Sequence, residues 1–388
     1  MMKITHICLC GPVTDNLTYQ DNLLPKYHKL LGYEVSVIAS KYIWNDNGKI
    51  DIDERNVYFN EYGIKTLRIS NKKHTDINSK LKRYENVYET LKTEKPDILF
   101  IHGVQFLDIS NIVDYLKDYP QVEVFVDNHA DFSNSATNRL SKNILHKGLW
   151  RHLAQKINPY VSKFYGVLPA RVDFLHDVYK IPKEKIELLV MGADDEMIIK
   201  SLVPKNRKNL RQKLGIKEDE FLIVTGGKID NAKKQVLLLM KAIKKLKNKK
   251  VKLIVYGSVI DNLMDEVQKL SEDDSIDYIG WIDNAQSYNL FSAADLLVFP
   301  GRHSVYWEQA VAMGKPLVVK YWEGTTHIDI GGNCIFLYKN TEEEIFTTIK
   351  KIINEPKLYN KLLISALSNK KNDFLYSEIA KKSIKENQ

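Results

Sequence analysis

The stretch Gly301-Arg302-His303-Ser304-Val305-Tyr306-Trp307-Glu308-Gln309-Ala310-Val311-Ala312-Met313-Gly314-Lys315-Pro316 decides the fold. It follows Leu296-Leu297-Val298-Phe299-Pro300, an apolar run with the composition of a strand buried on both faces. The Pro-Gly pair breaks the run. Ser304 is placed to cap a helix, and 306–313 then read as one short helix closed by Gly314. A second apolar run, Leu317-Val318-Val319, follows at once. Strand, loop, short helix and strand in this order make a parallel α/β unit. Its loop lies at the carboxyl end of a strand, where open parallel sheets bind ligands. The amides of Ser304 and Val305 at the helix start favour anions. Glu308 sits in the first turn, where the helix dipole favours a carboxylate able to accept hydrogen bonds from a ribose diol.

Upstream, Phe221-Leu222-Ile223-Val224-Thr225 is a second β-branched run, followed by Gly226-Gly227-Lys228-Ile229-Asp230-Asn231-Ala232-Lys233-Lys234. In a lysine-rich chain, loop lysines are ordinarily solvated charges. A strand just before them and the Glu308 block downstream weigh the other way, toward two cations fixed at a strand end.

Together these segments resemble the signature of retaining glycosyltransferases of the GT-B fold, the family 4 group that builds surface polysaccharides and glycolipids. That pattern is Glu, seven residues, Glu, then Ala-x-Ala-x-Gly-x-Pro-Val. Residues from Glu308 to Val318 match its second half. The first half departs: the position eight before Glu308 is Pro300, and His303 and Ser304 stand where the first Glu and its Gly-rich turn would be. The family's Gly-Arg-Leu, three residues, Lys-Gly pattern matches with Lys228 for Arg and Lys233 for Lys. The resemblance implies that Lys228 and Lys233 neutralise a departing nucleoside diphosphate without a metal, although Lys lacks the bidentate fork of Arg. It implies that Glu308 holds the ribose, and that Gly227, His303, Ser304 and Val305 line the donor site. On this reading Glu308→Gln weakens nucleotide binding at unchanged unliganded stability.

The chain has 388 residues, 44% hydrophobic and 27% charged, enough for two domains with ordinary cores. No apolar run reaches eighteen residues. The opening Met1-Met2-Lys3-Ile4-Thr5-His6-Ile7 reads as a first strand rather than a signal peptide. Three cysteines occur; Cys8 and Cys10 point the same way on one strand, so a bridge is not expected, and a reducing cytoplasm is. A net charge of +8 suits an anionic partner such as a sugar nucleotide, lipid phosphate or acidic membrane face.

Strands are expected at 3–9, 33–39, 65–69, 97–102 and 122–126, with helices at 84–93 and 109–117. A second set of strands is expected at 221–225, 252–256, 277–279, 296–299, 317–319 and 334–337. The alternation gives an α/β chain of two Rossmann-like doubly wound domains. The boundaries read as 1–199, a basic linker at 200–217, 218–372, and a tail at 373–388. By resemblance the two domains face a cleft, and the tail helix crosses back to the N-terminal domain.

In the first half, Cys10-Gly11-Pro12 follows strand one and is not a Gly-x-Gly-x-x-Gly loop. Gly11 allows close backbone approach, and the resemblance places this loop opposite the donor phosphates; an ordinary turn is the alternative. Asp127-Asn128-His129-Ala130-Asp131 resembles the family's Thr-x-His-Asp segment, which puts His129 beside the reacting sugar. His102, at another strand end, reads as a structural hydrogen bonder. The Asp-x-Asp triplet Asp51-Ile52-Asp53 reads as solvated rather than metal-binding. Residues 139–163 are basic and amphipathic, suiting either a core helix with a charged face or a peripheral contact with an anionic membrane; no nucleic-acid motif accompanies the charge.

The reading is a metal-independent hexosyltransferase with no cofactor. A UDP-linked sugar is its donor and a saccharide or lipid-linked saccharide its acceptor. Two alternatives stand beside it: an inactive GT-B protein regulating a partner transferase, which the missing first Glu favours, and a GT-B nucleotide-sugar 2-epimerase.

Overall fold

The computed structural model describes residues 1–45, 48–72 and 81–385, which fall into two compact units. The first joins Met1–Met191 to Tyr376–Gln388, and the second is Gly192–Leu375. The strands of the first unit are β1 (Lys3–Cys8), β2 (Glu34–Ser40), β3 (Tyr42–Trp44), β4 (Ile50–Ile52), β5 (Val57–Phe59), β6 (Lys65–Ile69), β7 (Ile98–His102), β8 (Glu123–Asn128), β9 (Lys163–Gly166) and β10 (Ile186–Leu188). Eight of them form one sheet, ordered β10-β9-β8-β7-β1-β2-β6-β5. Every neighbour pair is parallel except the edge strand β5, which runs antiparallel to β6. β3 and β4 pair separately as a hairpin. The short strands β9 and β10 escaped the sequence reading because four and three residues carry little period.

The second unit holds β11 (Phe221–Gly226), β12 (Val251–Tyr256), β13 (Ile276–Tyr278), β14 (Leu296–Phe299), β15 (Leu317–Lys320) and β16 (Cys334–Leu337). They form a wholly parallel sheet ordered β13-β12-β11-β14-β15-β16. The order reverses between β11 and β14, and both candidate loops leave this switch point. Apolar side chains lie on both faces: Ile223, Leu253, Val255, Leu296 and Val318 pack on one face with Leu239, Met240, Ile345 and Ile349 of two flanking helices, and Leu222, Val224, Ile254, Leu297 and Val319, which alternate with them, are fully buried on the other.

The stretch read as a linker is folded into the second unit. Pro204 opens the helix Pro204–Lys213 at its first position, where its missing N–H costs nothing. Arg207 and Arg211 of that helix donate to Asp295, just before β14, and to the carbonyl oxygen of Ala293. The polar composition of 200–217 therefore serves anchoring. The helix Tyr376–Ser383 belongs to the first unit, where Tyr376, Ile379 and Ala380 pack on Ile4, Leu23, Phe100 and Tyr165. All three cysteines are free, and among the described residues no helix is long and apolar enough to cross a membrane. Asp53 is not solvated: it is buried and accepts from Arg55 and Arg68, while Asp51 is exposed.

The first core encloses polar rings as well. His6 and His28 are fully buried, and burial pushes both below the ordinary imidazole range, His28 to about 3. His146, bonded to the Tyr179 hydroxyl, is lowered to about 4 by burial. Each folded pKa lies below the unfolded value of about 6.5, so the stability these groups contribute is present above pH 6.5 and lost as pH falls. Each removes up to about 1.4 kcal/mol per pH unit in that window. Urea midpoints should therefore drop between pH 7 and pH 5, while carboxylates remain ionised. Midpoints independent of pH over this range would contradict the neutral burial of these rings.

Candidate functional site

In the second unit β11 ends at Gly226, and a tight turn at Gly227 (φ +108°) sends the chain into the lysine loop. Gly227 is required by its φ, and Gly226 and Gly257 beside it by packing. A Cβ on Gly226 would lie 2.2 Å from the Tyr256 ring. Gly257 (φ +119°) leaves β12 so close by that its Cβ would meet the Gly227 carbonyl oxygen at 2.0 Å. Beyond Lys228 the fully buried Ile229 bridges to Val259, and its N–H donates to the Ser258 carbonyl. The Asp230 carboxylate then accepts from the Ala232 and Lys233 amides at 2.9 and 3.2 Å. The five-residue spacing of the lysines is thus held by a buried anchor and a side-chain turn.

Thr225, Gly226, Lys228, Lys233, Arg302 and Ser304 line one hollow at the carboxyl ends of β11 and β14. Gly301 passes close to the Lys233 backbone, a Cβ there being 3.3 Å from the Lys233 Cα. Lys233 is lowered from the usual lysine range by burial, with Asp230 opposing and Arg302 and Lys228 adding repulsion. Repulsion of Lys233 by Arg302 and Lys228 at the hollow favours a polyanion there. Arg302 lies in the decisive stretch, yet the sequence reading passed over it; it meets the lysines only because β11 and β14 are neighbours in the sheet.

Glu308 sits on the helix Tyr306–Ala312 and is fully buried. Its Oε1 accepts from His303 Nε2 at 2.7 Å and from His327 Nε2 at 2.9 Å. Burial opposes its charge, but the two imidazoles outweigh that and hold the carboxyl down at about 2. Oε2 has no partner and no exposure, so a ligand hydroxyl meets it only after the covering side chains part. Glu308→Gln therefore also removes a buried charged acceptor, which corrects the expectation of unchanged unliganded stability. His303, Glu308 and His327 offer ligand atoms within 4.8 Å of one another, close enough to share an ion, but each imidazole Nε2 is already spent on the carboxylate. His327, nineteen residues downstream in Thr325-Thr326-His327-Ile328, carries no motif that sequence could have used.

Ser304 is not the cap. The N-cap is Val305, with no side-chain bond, and the Ser304 carbonyl accepts from the Trp307 amide. The helix ends as read: Gly314 (φ +67°) follows it, and its amide donates to Val311.

In the first unit, Asp127, Asn128 and His129 emerge at the carboxyl end of β8. Asp127 is fully buried, and its Oδ2 accepts from His102 Nδ1 at 2.9 Å and Gln20 Nε2 at 3.0 Å. His129 is 40% exposed, with Nε2 at 3.4 Å from the same oxygen, longer than a good hydrogen bond. Asp131 is held by Arg171 and Ser133. Both nitrogens of His102 are taken by hydrogen bonds, so the cluster His102, Asp127 and His129 is not free to ligate an ion. Gly11 meets nothing within 4 Å of an added Cβ, so no packing in the first unit demands glycine there.

Residues 206–366 match the family model described as Glycosyl transferases group 1. That segment spans β11 to β16 and includes the lysine loop, Glu308 and His327. Among curated proteins the chain is similar to a glycosyltransferase of Methanocaldococcus jannaschii, 21% identical over 53% of this chain and 55% of that one. The chain spans about half the length of the curated relatives it matches. Among solved structures it is similar to Anabaena HepE in complex with UDP, with a TM-score of 0.71, 14% identity, and coverage of 100% of this chain and 99% of that one. It is similar also to UDP-GlcNAc 2-epimerase from Neisseria meningitidis bound to UDP-GlcNAc, with a TM-score of 0.62, 14% identity, and 100% of each chain covered. The fold is GT-B, built from two Rossmann-like units.

The crossing of the two glycine turns makes a testable claim. Gly257→Ala combines a left-handed φ with a clash against backbone, so it should destabilise the second unit by roughly 3 kcal/mol or more. Gly11→Ala should be close to neutral. Thermal melts that leave Gly257→Ala within a degree of wild type would refute the close approach.

Proposed function

We propose that the protein is a glycosyltransferase that moves a sugar from a UDP-linked donor to a saccharide or lipid-linked acceptor, with retention and without a metal. The observation that carries this reading is the hollow where Lys228, Lys233 and Arg302 converge on a glycine turn at the sheet's switch point. As the glycosidic bond breaks, negative charge grows on the leaving diphosphate, and fixed cations there stabilise the transition state more than the ground state. Glu308 is assigned to the ribose through Oε2, the oxygen not already taken. The amides of Ser304 and Val305 are assigned to donor oxygens, and Gly11 and Gly227 to backbone contact with the donor. His129, at the end of β8, is assigned to the reacting sugar.

A surface-polysaccharide or glycolipid acceptor in a bacterial cytoplasm is the finer reading, supported by the resemblance. A peripheral contact with anionic lipid through 139–163 belongs to it. Within the helix Ser141–Trp150 and just before it, Ile144 and Leu140 are 61% and 64% exposed, and Lys142 lies over the Phe132 ring. Trp150, Leu153 and Ile157 point into the core instead, so the contact is confined to the start of the segment.

Three measurements test the reading. Glu308→Gln loses a charge-assisted pair of hydrogen bonds, so UDP affinity by calorimetry should fall about tenfold or more; unchanged affinity would remove Glu308 from the site. Donor turnover should persist in excess EDTA, because the hollow supplies its own positive charge. Strict dependence on magnesium or manganese would mean that the lysines do not neutralise the diphosphate. Release of UDP, rather than an epimerised UDP-sugar, separates the transferase from an epimerase of the same fold.

A further inference from the structure

A line of three histidines crosses the buried centre of the first unit. His28 Nε2 faces the Ala380 carbonyl at 3.1 Å and the Ser383 hydroxyl at 2.9 Å. A carbonyl only accepts, and the Ser383 hydroxyl already donates to that same oxygen. His28 Nε2 therefore carries a proton. A neutral His28 then has a bare Nδ1, which lies 3.0 Å from His6 Nε2, so His6 Nε2 donates. His6 Nδ1 is bare in turn and accepts from His102 Nε2 at 2.9 Å.

At His102 the sequence of single protons runs out. Its Nε2 has just been assigned a hydrogen, yet its Nδ1 faces two carboxylates, Asp127 Oδ2 at 2.9 Å and Asp21 Oδ1 at 3.2 Å. An ionised carboxylate only accepts. Both nitrogens of His102 must donate, which makes the ring a cation.

We infer that His102 is a buried imidazolium, fixed in that state by the directional chain from Ala380 through His28 and His6, and that it is the positioning residue that pins Asp127 beneath His129. The groups facing His102 are His6 and the Cys8 thiol from β1, Asp21 from the helix Gln20–Leu30, and Asp127 from β8; His28 stands one ring further back. The electrostatics agree. Burial works against the charge on His102, but the Cys8 sulfur, Asp127 and Asp21 together raise its pKa well above the ordinary value. Asp127 is held below the usual carboxylate range although burial opposes its charge, with His102 the leading cause. His6 and His28 are driven the other way, chiefly by burial with His102 adding repulsion to both, and stay neutral.

The consequence lies at Asp127. Its Oδ2 is clamped by His102 and by Gln20, and Oδ1 has no partner. His129, the half-buried ring next to this carboxylate, thus sits over a side chain held at one oxygen by two donors. The far end of the chain is the helix Tyr376–Ser383, so the last described helix sets the protonation of a ring that lies at the end of β7.

The role in turnover rests on the transferase reading; the protonation state does not. Nitrogen-15 NMR of histidine-labelled protein at pH 8 is the test. It should show both ring nitrogens of His102 protonated, and His6 and His28 neutral with the proton on Nε2. A bare nitrogen on His102, or a proton on Nδ1 of His28, overturns the inference. Two variants extend it. His6→Gln keeps an acceptor toward His102 and a donor toward His28, so His102 should remain doubly protonated. His6→Leu removes the acceptor, so His102 should become neutral and the His129 ring resonances should shift as Asp127 is released. His129 resonances identical in both variants would remove the positioning role whatever the enzyme's activity. Where turnover is measurable, His6→Leu should lower kcat at unchanged donor KM and His6→Gln should restore it; equal kcat in both contradicts the role.

Discussion

A parallel strand buried on both faces must pair every polar side chain within it, as His6 and Arg68 are paired, so polar groups left open to a ligand come at its ends. Both units are built on such strands, and the arrangement of chemistry in each follows from that constraint. Ile223 and Val224 of β11 and Leu297 and Val298 of β14 are fully buried, and the first polar residues free to act come where these strands stop. Gly226-Gly227-Lys228 and Gly301-Arg302-His303 are those residues in the second unit. Asp127-Asn128-His129 holds the same place at the end of β8 in the first. Parallel alignment puts these ends on one edge of each sheet, so residues distant in sequence arrive together without any motif joining them.

Each unit also buries a carboxylate at this edge and meets the cost in the same way. Glu308 faces His303 and His327; Asp127 faces His102 and His129. In both cases one oxygen carries the hydrogen bonds and the other has no partner. A buried charge with such incomplete pairing costs stability relative to an apolar side chain. On the transferase reading proposed above, a nucleoside diphosphate sugar supplies hydroxyls that complete the pairing and phosphates that meet the cations. The opposed pKa shifts within the His28, His6 and His102 chain are the same physics acting on rings rather than acids.

The fold was largely legible in the sequence because strands buried on both faces write apolar runs such as 296–299 and 334–337, which correspond residue for residue to β14 and β16, while 65–69, which matches β6, interleaves Lys65, Thr66 and Arg68 with its apolar residues. The boundary was less so. Residues 200–217 look like a linker because anchoring arginines and solvated lysines have the same composition, and only the contact with Asp295 distinguishes them. In the site, Lys228, Lys233 and Glu308 came from a motif, and the structure brings the two lysines to one hollow. Arg302 and His327 have no spacing rule; they reach the site because β11, β14 and β15 lie side by side in the sheet. The cap at Ser304 was misplaced by one residue because a serine before a helix is the commonest cap, while here its carbonyl rather than its side chain is used. His6 and His28 were invisible as a chain, since a buried ring in a strand or helix reads as core.

The central claim is that the hollow at the end of β11 and β14 is a diphosphate site. Calorimetric titration with UDP, UMP and uridine at low and high salt tests it most directly. The account predicts that UDP binds much more tightly than UMP or uridine, and that added salt weakens UDP most, because the three cations act on the diphosphate. Equal affinity for the three ligands, or binding of UDP that is indifferent to salt, would contradict it.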